Sequence, residues 1–364
     1  MKAVVFDGKE LKLEEVEKPV PKANEVLVRI AACGVCHTDL HVVQGEVAFP
    51  TPAVLGHEIS GTVEEVGEGI ESFKKGDRVV APFIMPCGSC RFCRMGLDDM
   101  CENFFKLNRL QGKLYDGNTR LFRKDGSPVW MYSMGGLAEF AVVPVTSVFK
   151  LPDSLELQTS CILGCAAFTA YGAVVNQASL KEGENAAVIA VGGVGLNILQ
   201  ISKYYGASKI IAVDVNEDKL AKAKELGATH ILNSRSSNVV EEIMEITEGF
   251  GVDVAFEALG RPETIQYAFN SVRDGGRTVV VGIAGQKKTV EIDITRLVRR
   301  GIKVIGSYGA RTRKDMPEVI KLAETGVLNL KGIVTKKFSL EEAAEAYSEL
   351  KEGKIVGRAI VTAI

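Results

Sequence analysis

The stretch from Val188 to Asp214, VIAVGGVGLNILQISKYYGASKIIAVD, constrains the fold more than any other part of the chain. An apolar run meets a turn holding Gly192, Gly193 and Gly195, passes into a helix-like segment, and re-emerges as a second apolar run that closes on Asp214. That alternation builds strand, turn, helix and parallel strand. At such a turn the backbone can approach a pyrophosphate, and the helix N-terminus offers unpaired N–H groups and the positive end of its dipole. A carboxylate at the tip of the second strand accepts hydrogen bonds from an adenosine ribose and repels a 2′-phosphate. Asp214 therefore favours NAD over NADP. Ala190 stands where the usual fingerprint has its first glycine, but the order of strand, turn, helix, strand and acid is complete.

The same texture continues through DKLAKAKELGA, HILN, VDVAFEALG and RTVVVGI, apolar strands alternating with amphipathic helices, which implies a parallel sheet covered on both faces. Upstream, residues 1 to about 155 carry short Val/Ile runs such as EVLVRI, GTVEEV and GDRVVAP, broken by Gly, Pro and Asp, the pattern of an irregular β domain. The first of its strands form a pair around Asp7-Gly8. After Gly306 the chain predicts a helix over 317–325, a strand, a helix over 340–352 and a last strand, GRAIVTAI, whose texture is that of the first domain. The expected organisation is a β domain over 1–160, a βαβ domain over 161–305, and a return to the first domain over 306–364.

A chain of 364 residues can build two cores of ordinary size. With 46% apolar and 25% charged residues and a net charge of −2, nothing favours nucleic acid or an acidic membrane surface as partner. No apolar run approaches a bilayer-spanning length, and the N-terminus lacks a signal pattern, so a cytoplasmic setting is expected. In that setting a chain with eight cysteines reads as one that holds metal ligands rather than a disulfide framework.

Two cysteine-bearing regions stand out. Cys87, Cys90, Cys93 and Cys101 form C-x2-C-x2-C-x7-C, enough thiolates to close a tetrahedral shell around one zinc with no place left for substrate. An iron–sulfur cluster is the rival reading, and the lack of ferredoxin spacing favours zinc. The stretch from Cys33 to Glu58 holds two cysteines, three of the four histidines and the acids Asp39 and Glu58, at the end of an alternating run from Val26 to Ala32 that turns at Gly34. Thiolate and imidazole suit a borderline-soft cation. Between Cys101 and Gly135 lies a long segment, dense in aromatics and arginines, with turns at Asp116-Gly117 and Asp125-Gly126. Such loops are functional or interfacial as often as decorative.

The motifs GVCHTD (34–39), GHEISGTVEEVG (56–67), the four-cysteine lobe (86–102), LGCAAFTAYGA (163–173) and VGGVG (191–195) resemble those of the zinc-dependent alcohol dehydrogenases of the medium-chain dehydrogenase/reductase superfamily, over essentially the full length. The resemblance implies an α/β protein: a GroES-like irregular β-barrel catalytic domain plus a Rossmann doubly wound parallel sheet for the coenzyme. It assigns Cys36, His57 and Cys165 to a catalytic zinc and Cys87, Cys90, Cys93 and Cys101 to a structural one. Glu58 becomes an acid that approaches the catalytic metal during ligand exchange, and Asp39 the carboxylate that orients His57. Thr38 bonds the substrate oxygen, and His41 ends a proton relay.

For the cofactor, the resemblance implies His37 and Arg358 near the pyrophosphate, Asp214 and Lys219 at the adenosine ribose, Gly192, Gly193 and Gly195 at the turn, and Val194 and Thr169 against the nicotinamide. Phe83 and Ile283 match pocket-wall positions, with Trp130 and Phe104 as further candidates. Cys33, Cys161 and His230 match no functional position and read as structural.

The implied activity is reversible NAD-linked oxidation of a small alcohol to its aldehyde or ketone, in a homodimer or homotetramer. A semialdehyde reductase is the first alternative, its substrate carboxylate received by Arg109, Arg120, Arg123, Arg311 or Arg313. A polyol or thiol-adduct dehydrogenase is another. A relative that binds nucleotide without turnover is the alternative from a different class.

Overall fold

The computed structural model describes residues 1–285 and 288–363. Contacts divide the chain into two compact units: Met1–Phe168 with Arg311–Glu324 and Leu330–Ile364, and Thr169–Ala310 with Thr325–Asn329. The divisions fall at 168/169 and 310/311, against the expected 160/161 and 305/306. The segment carrying Cys165 belongs to the first unit.

The N-terminal part contributes β1 (Lys2–Phe6), β2 (Leu11–Glu15), β3 (Glu25–Gly34), β4 (Ala53–Val54), β5 (Ile59–Val66), β6 (Arg78–Ala81), β7 (Leu121–Phe122), β8 (Pro128–Met131), β9 (Phe140–Pro144) and β10 (Phe149–Lys150). The middle contributes β11 (Ala186–Ile189), β12 (Ile210–Asp214), β13 (His230–Asn233), β14 (Val252–Glu257), β15 (Val272–Val280) and β16 (Lys303–Gly306), and the end β17 (Val334–Ser339) and β18 (Arg358–Thr362).

In the first unit one sheet runs β2-β1-β4-β8-β7 and another β10-β6-β5-β3-β18-β17, with β9 also paired to β3. The last strand does return to the first unit: β18 pairs antiparallel with β3, Val361 opposite Cys33. The expected hairpin at Asp7-Gly8 is the β1–β2 pair, Gly8 at φ +100°. Register shifts in the β3–β5 pairing, between Leu27 and Val28 and between Ile30 and Ala32, bend β3 so that its end carries Gly34 to the start of the helix His37–Val43. A Cβ at Gly34 would lie 2.3 Å from Glu58 Cδ, so any larger residue there would displace the buried Glu58 side chain.

The second unit holds the parallel sheet β13-β12-β11-β14-β15-β16, the doubly wound order with the switch point at β11. Ile189, Val213, Ile243, Val252 and Phe269 are among the buried side chains of one of its faces. From β11 the chain turns at Gly192 into the helix Gly193–Tyr204. Gly195 lets that helix approach the strand end: a Cβ would meet the Ala190 carbonyl at 2.1 Å.

Two expectations are corrected. The C-terminal helix foreseen over 317–325 spans Thr312–Glu324, with Pro317 inside it, so the chain tolerates proline well past the first turn. Residues 159–177 form a run of mixed helical type that is long and apolar enough to cross a membrane by composition. Its window is 89% buried within the protein, as in a core helix. The sequence scan missed it because Thr159, Ser160, Thr169 and the glycines interrupt the apolar letters.

Candidate active site and metal centres

The end of β3, the helix His37–Val43 and the start of β5 place Cys36, His57 and Glu58 together, and the loop before the helix Ala166–Tyr171 brings in Cys165. One ligand atom from each lies within 4.8 Å of the others, and all four residues are buried. His57 Nδ1 bonds Asp39 Oδ1 at 3.0 Å, which also accepts from Gly56 N at 3.0 Å. This fixes the ring with Nε2 facing the thiols. Among the described residues Nε2 is buried without a hydrogen-bond partner, a costly state for an imidazole unless a cation completes it.

The electrostatics point the same way. The Cys165 thiol, as donor, holds Cys36 well below the ordinary thiol range against the upward push of burial. Burial presses His57 downward, but Asp39 and the Cys36 charge outweigh it and raise His57 to about 9. A setting that holds a proton this firmly suits a cation, and two thiolates with one imidazole, beside the Glu58 carboxylate, are a donor set suited to zinc.

Glu58, fully buried, pairs with Arg358 of β18, so Arg358 stands at the metal set through its carboxylate partner. Thr38 Oγ1 lies 3.6 Å from Cys36 Sγ. His41 Nδ1 meets Glu46 Oε2 at 2.5 Å, with the His41 side chain 23% exposed. His37 is exposed at the start of the same helix. Phe83 and Tyr132 stand edge-on to His57, ring centroids 5.9 and 6.2 Å away, and Phe49 and Phe168 extend this apolar wall.

Cys87, Cys90, Cys93 and Cys101 also converge within 4.8 Å. Their sulfurs accept backbone N–H groups: Cys90 to Cys87 at 3.3 Å, Cys93 to Cys90 at 3.5 Å, and Cys87 and Phe104 to Cys101 at 3.3 and 3.4 Å. Such bonds stabilise thiolates. Four sulfurs leave no place for a reacting molecule.

In the second unit, Gly192, Gly193 and Val194 are partly exposed where the helix begins, and its first backbone bond is Leu196 N to Gly192 O. The N–H groups ahead of that bond have no partner within the helix, as an anion cradle requires. Asp214, 8% exposed, accepts from Val191 N at 3.0 Å, Val215 N at 2.8 Å and Asn216 N at 3.1 Å, which ties the strand tip to the glycine turn. Lys219 lies in the first turn of the helix Glu217–Glu225, Thr169 in the helix Ala166–Tyr171.

The remaining candidates are spread over both units. Phe104 is fully buried in the cysteine lobe, edge-on to Phe105. Ile283 is 44% exposed, and Trp130 lies in β8 beneath Lys113. Arg120 is spent on Glu25 and Asp116, Arg123 on Glu14, and Arg313 on Asp98, while Arg109 lies over the Tyr132 ring at 4.0 Å. Cys33 and Cys161 are buried thiols, raised by burial, and His230 bonds its neighbour Thr229. Sequence reasoning missed Tyr347, whose hydroxyl donates to Asp39 Oδ2 at 3.0 Å, and no spacing could have revealed a partner 308 positions away.

Two thiolate-rich metal sets in a chain that also folds a dinucleotide-type parallel sheet define a metal-binding oxidoreductase. Residues 22–153 match the alcohol dehydrogenase GroES-like domain, and residues 193–325 match the zinc-binding dehydrogenase domain. Over 100% of this chain and 98% of the other, the structure is similar to an alcohol dehydrogenase zinc-binding domain protein from Burkholderia ambifaria, at 32% identity and TM-score 0.94. Benzyl alcohol dehydrogenase from Acinetobacter calcoaceticus matches at 30% identity and TM-score 0.93, over 100% and 99% of the two chains. A protein from Sinorhizobium meliloti 1021, described as a zinc-binding dehydrogenase and solved bound to NADP, matches at 27% identity and TM-score 0.84, over 100% and 99%. The chain belongs to the zinc-dependent alcohol dehydrogenases of the medium-chain dehydrogenase/reductase superfamily.

Proposed function

We propose that the protein is a zinc-dependent, NAD-linked alcohol dehydrogenase that interconverts a small alcohol and its aldehyde or ketone, with one catalytic and one structural zinc per chain. The observation that carries this reading is the meeting of Cys36, His57 and Cys165 around a buried His57 Nε2 that has no hydrogen-bond partner among the described residues. A zinc held by this set would supply Lewis acidity toward the alcohol oxygen, and a bound nicotinamide would supply the hydride acceptor. The residues do the rest. Asp39 holds His57 in one orientation, and Thr38 takes the substrate's hydroxyl proton. His41, braced by Glu46, hands that proton to solvent. Phe83, Tyr132 and Phe49 offer an apolar wall to the substrate body.

NAD is supported by the acid at Asp214, which would oppose a 2′-phosphate. A carboxylate-bearing semialdehyde remains the second substrate reading, and it rests on Arg109, whose guanidinium stacks on the ring that stands edge-on to His57. A homo-oligomer in solution is supported by β16, an edge strand with Val304 40% exposed, and by Ile294 and Val298 nearby in sequence, 74% and 71% exposed. A second copy pairing along that edge would cover them. Eight cysteines outside any disulfide suit a reducing, cytoplasmic setting.

The test combines metal analysis with His57→Ala. Native protein should hold about two zinc ions per chain. His57→Ala should lose one of them and all turnover on a panel of alcohols, aldehydes and semialdehydes, while NADH still binds. One zinc in the native protein, confined to the cysteine lobe, would support a nucleotide binder without turnover. Activity surviving the substitution would remove the site from consideration.

A further inference from the structure

Asp39 is completely buried and receives three hydrogen bonds. Its Oδ1 takes His57 Nδ1 and Gly56 N, and its Oδ2 takes the Tyr347 hydroxyl, each at 3.0 Å. Tyr347, 2% exposed, comes from the helix Ala343–Lys351. A buried carboxylate with only one oxygen bonded could rotate about its Cβ–Cγ bond, and its free oxygen would be an unsatisfied charge. With both oxygens held, its plane is fixed, and so is the direction in which Oδ1 aims the imidazole. Tyr347 also draws charge away from Asp39, which tempers how strongly the carboxylate pushes electron density into His57.

We propose that Tyr347 is a positioning residue for the metal held by Cys36, His57 and Cys165, acting through Asp39 to set both how tightly that set binds a divalent cation and the ligand field it imposes. The proposal rests on the reading of that set as a metal site. Its chain of contacts, Tyr347 to Asp39 to His57, lies within one compact unit and links the C-terminal helix to the start of β5.

The substitution Tyr347→Phe keeps the ring and removes only the hydroxyl. In protein whose metals have been replaced by Co2+, it should weaken cation binding at the Cys36–His57–Cys165 set by about tenfold in a chelator competition. It should also shift the visible d–d bands of that cobalt, while the cysteine-lobe cobalt keeps its affinity and thiolate charge-transfer band. Unchanged affinity and bands at the first set would overturn the proposal and leave Tyr347 a packing residue. Should the native protein bind cobalt only at the four-cysteine lobe, the underlying metal-site reading would fail instead, so the two failures are distinguishable. If the variant does not fold, the native protein still gives an answer. The Tyr347 hydroxyl proton should be a slowly exchanging NMR resonance that moves when zinc fills the first set, and an unmoved resonance would refute the link.

Discussion

Arg313 closes a fork on Asp98: its Nη2 lies 2.6 Å from Oδ1, its Nε 3.1 Å from both oxygens, and its backbone N–H donates to Oδ2 at 2.9 Å. The same guanidinium donates to the Cys93 carbonyl at 2.5 Å. The side chain of Asp98 is 1% exposed, so this fork is what makes a carboxylate tolerable inside the cysteine lobe. The helix Thr312–Glu324 thereby braces a four-cysteine loop that precedes it by more than two hundred residues.

Removing that guanidinium leaves the Asp98 carboxylate buried without its charge partner. Arg313→Met should cost about 2–3 kcal/mol of stability, below the usual range for a fully buried pair because Arg313 itself is 39% exposed. It should also speed loss of the lobe metal to a chelator. Denaturant melts and timed metal release measure the two effects, and a stability loss without faster release would separate bracing from metal retention.

The ion pair of Glu184 with Arg277 predicts an acid-sensitive contribution in the second unit. Arg277 Nη1 and Nη2 reach the two oxygens of Glu184 at 3.0 and 2.5 Å. Burial pushes Glu184 upward, yet the Arg277 bonds and the Lys181 N–H outweigh it and hold the carboxyl below its ordinary 4.5. A folded-state value below the unfolded one means that the folded protein binds fewer protons. The stabilisation is therefore complete above about pH 4.5 and drains away as pH falls through the lowered folded value. Glu184→Gln should be less stable than the native protein at pH 7, and the gap should narrow steadily below pH 4.5. A constant gap in urea titrations at pH 7 and pH 3.5 would contradict this.

Ala190 sits at φ +72°, where the fingerprint of the turn ordinarily has glycine. An L-residue there carries roughly 1–2 kcal/mol of backbone strain. Part of the relief on Ala190→Gly is offset by the greater freedom of the unfolded chain. The variant should gain about 0.5–1 kcal/mol. An upward shift in urea midpoint with unchanged slope is the expected observation.

Asp214 both braces the glycine turn and, in the proposed function, screens the nucleotide. Asp214→Ser removes the charge that opposes a 2′-phosphate, and the ratio of kcat/KM for NADPH to that for NADH should rise about tenfold. It should also destabilise the protein by about 1–2 kcal/mol, since Val191, Val215 and Asn216 lose their acceptor. An unchanged ratio would shift coenzyme choice to other residues.

Short-range chemistry is readable in the sequence itself. The strand–glycine–helix–strand–acid order from Val188 to Asp214 dictated a parallel nucleotide-type sheet, because periodicity and turn geometry are local properties. The four cysteines within fifteen positions had to close on one point, since so short a loop loses little entropy in closing. The return of the C-terminal strand to the first unit was legible from its texture alone.

Tertiary structure decided what periodicity cannot carry. Residue texture gave no partner for Arg358, which lies on Glu58, nor for Arg313, which is committed to Asp98 rather than left for a substrate. It also gave no hint of Tyr347 on Asp39. Each of these pairs joins residues more than two hundred positions apart. Which charges meet at such a distance depends on how the sheets order their strands and how helices seat on them. That arrangement is set by burial summed over the whole core, not by any window of the sequence.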